Sequence, residues 1–171
     1  MELKLKSISR SGIPEARSLA MLYRNLNEPG EAESICRDVL AVEPDDQTAI
    51  RLLGLSITDQ FTGSPSDRWA EAESVLQTLN NRYERLYYSG IVHERRAKAQ
   101  LKSGRAPHTL LVLFEEAMRC FEEAEKIRPE GNDDSILRWN RCVRLLQSLG
   151  PGLRGDESEF FDVHDSPPVF P

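Results

Sequence analysis

Apolar and polar positions alternate at helical spacing along most of this chain, and three stretches open alike. They read EAESICRDVLAVEPDD from Glu31, EAESVLQTLNNRYERL from Glu71 and EAMRCFEEAEKIRPEG from Glu116. The alanines Ala32, Ala72 and Ala117 are each followed four residues later by a larger side chain, Cys36, Leu76 or Phe121. Seven residues after each alanine stands another apolar one, Val39, Leu79 or Ala124. These offsets put all three on one helical face. Pro44 and Pro129 close the first and third stretches, where a helix cannot continue. Upstream of each lies a second apolar pattern built around a small residue. SLAMLYRNL holds Leu19, Ala20 and Tyr23; RLLGLSITD holds Leu53, Gly54 and Ile57; YYSGIVHER holds Ser89, Gly90 and His93. A small middle residue lets two helices approach closely. The pattern therefore predicts helix pairs over 14–26 with 29–42, 47–60 with 66–81, and 84–103 with 108–127.

The intervals from Ala20 to Gly54 and from Gly54 to Gly90 both lie near about 34 residues, a period characteristic of helix-turn-helix repeats. With this content the chain resembles the tetratricopeptide repeat family over roughly 13–131. The first unit carries most of the resemblance, because Leu19, Ala20, Tyr23, Ala32 and Pro44 stand at the family's consensus places. Ala16 stands where the family has tryptophan. The resemblance implies an all-α fold: a right-handed α-solenoid of about three hairpins plus a C-terminal capping helix. An N-terminal extension (1–12), the repeat domain (13–150) and a tail (151–171) would divide the chain. Each unit cannot bury its apolar stripe alone, so neighbours stack and share a core.

Departures from regular spacing cluster in two places. Extra residues fall around FTGSPSD, where Ser64 can cap, Pro65 fits a first helical position and Asp67 completes a capping-box-like pattern. The second unit lacks a terminal proline and ends at NNRY, and the third unit's helices are longer, broken at SGRAPH. The last helix, 134–149, follows EGNDD, where Asp133 or Asp134 can cap it. It stops at Gly150-Pro151. Its expected inward stripe is Ile136, Trp139, Val143 and Leu146, with Arg138, Arg141 and Arg144 pointing elsewhere.

In this family the first helix of each unit lines a concave groove that takes peptides. Carried over by position, the groove side comprises Arg17, Met21, Arg24 and Asn25, then Arg51, Leu55 and Thr58, then Tyr87, Ile91, Glu94 and Arg95. Arginine and tyrosine among aliphatic residues suit a peptide with acidic and apolar side chains. Chaperone-binding members grip a C-terminal carboxylate with lysine and asparagine. Here those places hold Arg17, Met21, Leu52, Glu84 and Tyr88, so a heat-shock co-chaperone role is not expected. The resemblance implies a non-enzymatic interaction module, an adaptor or scaffold. Alternatives are a small secretion-type chaperone and an enzyme with an unrecognised helical site around His93.

Charge and chemistry narrow this further. A net charge of −6 and a pI near 5.2 supply no electrostatic footprint for nucleic acid. No apolar run approaches the length of a membrane span, and the N-terminus has no apolar signal region, so a cytoplasmic protein is expected. The cysteines Cys36, Cys120 and Cys142 are odd in number, without C-x-x-C, and read as core residues rather than disulfide or zinc ligands. No phosphate-loop, dinucleotide or zinc-protease motif occurs, and no cofactor is expected. His108 sits beside Pro107 and His164 in the tail. Two surfaces remain. TLLVLF (109–114) must either be covered or face outward. The tail, GDESEFFDVHDSPPVFP, sets Phe160, Phe161 and Phe170 among acidic residues including Asp162. Phe160, Phe161 and Asp162 are expected to dock on a helical surface of this chain or of a neighbouring one.

Overall fold

The computed structural model describes residues 3–153, so the expected docking of Phe160, Phe161 and Asp162 lies outside the described residues. The seven α-helices among the described residues are α1 (Ile13–Asn25), α2 (Pro29–Val42), α3 (Gln47–Asp59), α4 (Trp69–Gln77), α5 (Arg82–Lys102), α6 (Leu111–Glu125) and α7 (Asp134–Leu149). Short 3-10 turns precede α1 and α6 and follow α7, and no strand occurs among the described residues. None of these helices is long and apolar enough to cross a membrane.

Local chemistry explains the ends. Pro14 and Pro29 sit in the first turns of α1 and α2, where a missing N–H costs nothing. Asp46 caps α3 by accepting from Ala49 N at 2.9 Å, and Asn81 caps α5 by accepting from Tyr83 N at 2.8 Å. Two expected caps are corrected. Asp67 completes no capping box: its Oδ1 accepts from Thr62 N at 2.9 Å and its Oδ2 from Gly63 N at 2.7 Å, which closes a loop. Ser64 turns to the Ser66 hydroxyl, and α4 opens only at Trp69, without a side-chain cap. The expected 66–81 helix is therefore shorter at both ends. At α7 the capping oxygen belongs to Asn132, which accepts from Asp134 N at 2.9 Å and from the Tyr83 hydroxyl at 2.9 Å. Asp133 is instead paired with Arg128.

Each helix packs on the next in chain order; α1 also touches α3, and α3 touches α5. One core cluster spans α1 to α5 and includes Ala20, Ala32, Cys36, Leu53, Ile57, Ala72, Leu76 and Val92. A second joins Ile91, Ala97, Leu110, Phe114, Ala117 and Phe121 to Cys142 of α7. The small residues sit where the apolar pattern requires. A Cβ on Gly54 would lie 2.6 Å from Leu76 Cδ2, and one on Gly90 would lie 2.5 Å from Phe121 Cε1. Leu76 and Phe121 are the residues four places after the repeated alanines, so the register read from spacing is the register of contact. Replacing Gly54 by leucine should overpack this contact by about 1–3 kcal/mol. Higher helix propensity would offset up to about 1 kcal/mol. A lowered urea midpoint is the expected reading; a raised one would contradict the register.

One open alternative closes and one expectation changes. In TLLVLF, Leu110 and Phe114 are buried and only Val112, 65% exposed, presents a large apolar side chain outward. The inward seam of α7 is rotated from the expected stripe: Ser135 and Cys142 are buried, with Trp139, Leu145 and Leu146 against the second cluster. Ile136 and Val143 are half-buried at its edge. The rotation turns Arg138 toward α5, whereas Arg141 and Arg144 stay exposed.

Candidate functional site

The face expected to bind a partner runs across α1, α3 and α5, and its arginines are already engaged. Arg17 meets Asp46 at 3.3 Å, and Arg51 donates to Glu84 at 2.6 Å. Arg24 Nε donates to Asp59 at 2.8 Å, and Arg95 pairs with the same carboxylate while donating to Thr58 Oγ1 at 2.7 Å. One carboxylate on α3 thus joins cations from α1 and α5. The pairs with partly exposed partners contribute about 0–1 kcal/mol each, so they orient side chains more than they stabilise the fold, while the Asp46 carboxylate that meets Arg17 is buried. They also neutralise the positive charge that an acidic peptide would seek.

Three expected groove residues are not free surface. Thr58 is 3% exposed, Ile91 1% and Glu94 0%. For Ile91 and Glu94 the cause is α7, which packs beside α6, joins the Ile91 cluster and brings Arg138 Nη1 to 3.4 Å from Glu94, whereas Thr58 lies under Arg95 of α5. Lys98, one turn further along α5, pairs with the other Glu94 oxygen. Leu55 and Tyr87 are half-buried against the second cluster, and the Tyr87 ring stacks at 5.9 Å on Tyr83. Of the residues at the chaperone-type carboxylate-binding places, Leu52 is buried and Glu84 is engaged by Arg51.

Met21 and Asn25 remain exposed, and with Arg17 they line an open cleft of about 510 Å³. Pro14, Ser18, Leu22 and Thr48 complete its walls. Sequence reasoning did not name these four, yet a signal was present. The helix α1 buries only Ile13 and Ala20, while Leu19, Met21 and Leu22 and the C-cap residue Leu26 remain exposed. That is more apolar surface than one buried stripe requires. A second recess, about 400 Å³, lies between α5 and α7 at Tyr87, Lys98, Leu137, Arg138 and Arg141.

Nucleophile chemistry is disfavoured by burial. It raises the Cys36 thiol to about 12 and the Cys120 and Cys142 thiols to about 11, so all three are protonated at neutral pH. His93 is half-buried on α5, and its Nδ1 has no hydrogen-bond partner to orient it as a base. Among the described residues no group of three or more His, Cys, Asp or Glu side chains could hold a metal ion. No family model, curated protein or solved structure matches this chain.

Proposed function

We propose that this chain is a non-enzymatic protein–protein interaction module of tetratricopeptide type, in which α1–α2, α3–α4 and α5–α6 form hairpins wound as a right-handed solenoid and capped by α7. The chain-order packing and the contacts of α1 with α3 and α3 with α5 support that arrangement. The cleft on α1 carries the functional part of the reading. Met21 and Leu22, each 49% exposed, stand beside Arg17, Ser18, Asn25 and Thr48. Apolar anchors ringed by hydrogen-bonding groups are the anatomy of a peptide contact. The partner is a peptide segment with one apolar anchor side chain flanked by polar groups. A carboxylate on it would have to compete with Asp46 for Arg17.

Selection of displayed peptides on the immobilised full chain tests this. Enriched peptides should share an apolar anchor, and Met21→Glu should weaken them about tenfold or more, as expected for loss of a central anchor. Met21 is outside the core, so the variant should keep its helical circular dichroism. Peptides that bind Met21→Glu as tightly as the parent, or a selection that enriches nothing, would overturn the reading.

A further inference from the structure

The two departures from regular repeat spacing, the loop before α4 and the lengthened α5, meet in space. Gly63 of the loop lies so close to α5 that a Cβ there would be 2.5 Å from the Ala99 carbonyl oxygen. Between loop and helix is a pocket of about 290 Å³ lined in part by Ser64, Asp67, Trp69, Arg96, Gln100 and Arg105. The Arg96 guanidinium lies over the Trp69 ring, 4.1 Å from its centroid. Its Nε is buried and has no hydrogen-bond partner.

That is unusual within this molecule. The other half-buried arginines among the described residues each meet a carboxylate or, for Arg85, two backbone carbonyls. Burial lowers the pKa of Arg96, with no anion opposing it. A buried guanidinium N–H without an acceptor is costly, and a half-buried cation lining a pocket without a counter-charge leaves its remaining N–H groups free for an anion. The Asp67 carboxylate does not fill that place. Its oxygens already accept from Thr62 N, Thr62 Oγ1 and Gly63 N. Arg105 adds a second cation, so the lining keeps a net positive charge.

We propose that this pocket binds a phosphate-type oxyanion. The Trp69 ring holds the Arg96 guanidinium in place at the pocket wall, so its two Nη groups can donate to two oxygens of one ligand. Arg105 supplies the second charge, and the Ser64 hydroxyl and Gln100 amide supply neutral hydrogen bonds. The volume suits a phosphate with a few attached carbons, below the usual range for drug-sized ligands. The oxyanion can arrive free in solution or on a phosphorylated side chain. The pocket shares no residue with the α1 cleft, so either proposal can fail without the other.

Titration of the full chain at low ionic strength decides it, with inorganic phosphate in one arm and a phosphoserine peptide in the other. Chloride at matched ionic strength is the control. Phosphate should move the Trp69 indole N–H resonance saturably while leaving that of Trp139 in place, and should raise the melting temperature by linkage. Arg96→Gln removes no ion pair but gives up the contact over Trp69, so it should keep its helical circular dichroism, melt slightly lower and weaken the response about tenfold or more. Arg105→Gln should weaken it less. Tighter binding of the peptide than of phosphate identifies a protein-borne group, and equal or weaker binding a free one. No saturable response in the parent, or the same response in Arg96→Gln, overturns the proposal.

Discussion

Gly63→Ala is expected to lower stability by roughly 2–4 kcal/mol. Gly63 has φ of +86°, which costs an L-residue about 1–2 kcal/mol. The added methyl would also sit 2.5 Å from the Ala99 carbonyl oxygen and 2.9 Å from its carbon. Those are backbone atoms inside a helix and cannot swing aside as a side chain would, so overpacking adds about 1–3 kcal/mol. A smaller unfolded-state entropy returns only about 0.4–1 kcal/mol. Gly104 provides the internal control. Its φ is +92°, but nothing lies within 4 Å of its Cβ position. Gly104→Ala should therefore show the backbone cost alone, and the difference between the two urea midpoints isolates the contact of loop on helix. Equal midpoints would mean that the loop does not rest on α5. Because that contact walls the Arg96 pocket, Gly63→Ala should also blunt the phosphate response.

Acid should remove about 3 kcal/mol of stability through one side chain, Glu33. Arg68 grips it with two bonds, Nη1 to Oε1 at 2.8 Å and Nη2 to Oε2 at 2.7 Å, and holds its pKa down at about 2. Burial works in the opposite direction, while Arg37 and Gln60, each at 2.7 Å, add to the lowering. The carboxyl is 11% exposed, so solvent screens these bonds weakly. A folded pKa below the ordinary value of 4.5 means that the unfolded chain takes up the proton first. The stabilisation is complete above that ordinary value and fades as pH falls toward about 2. Each unit of depression corresponds to about 1.4 kcal/mol. Arg68→Met removes the leading partner, so it should be less stable than the parent at neutral pH by about 1–3 kcal/mol. Urea midpoints measured across the acid range should converge as Glu33 protonates in both proteins. A gap that stays constant down to about pH 2 would show that Glu33 is not the group responsible.

The core was the most legible part. Ala32, Cys36 and Val39 of the first repeated stretch are all at or below 1% exposure, as are Ala72, Leu76 and Leu79 of the second. Position within the helical turn sets which face a side chain occupies, and one face of each helix had to be covered. The glycines were legible for the same reason: a gap in an apolar stripe marks where a neighbour's large side chain enters, as Leu76 and Phe121 do. Helix caps were less legible. Asp46 and Asn81 cap α3 and α5 without having been singled out, whereas Asp67, expected to cap, accepts from the amides of the loop instead.

The candidate site was legible in part. Arg17, Met21 and Asn25 fall in the α1 cleft, while Thr58, Ile91 and Glu94 are buried. The amino-acid order by itself determined the seven helices and the faces hidden by the three repeated stretches, though not the seam of α7, because helical periodicity is local and burial follows from it. Which arginine meets which carboxylate, how far α7 covers α5, and the meeting of the Gly63 loop with Arg96 were decided only by the tertiary structure. These depend on the rotation and separation of helices far apart in the chain, and a shift of one residue around a helix turns a side chain by about 100°. Local spacing carries no record of that angle. Asp59 could not be seen from the sequence as the link between Arg24 and Arg95, nor Arg96 as the cation left without one.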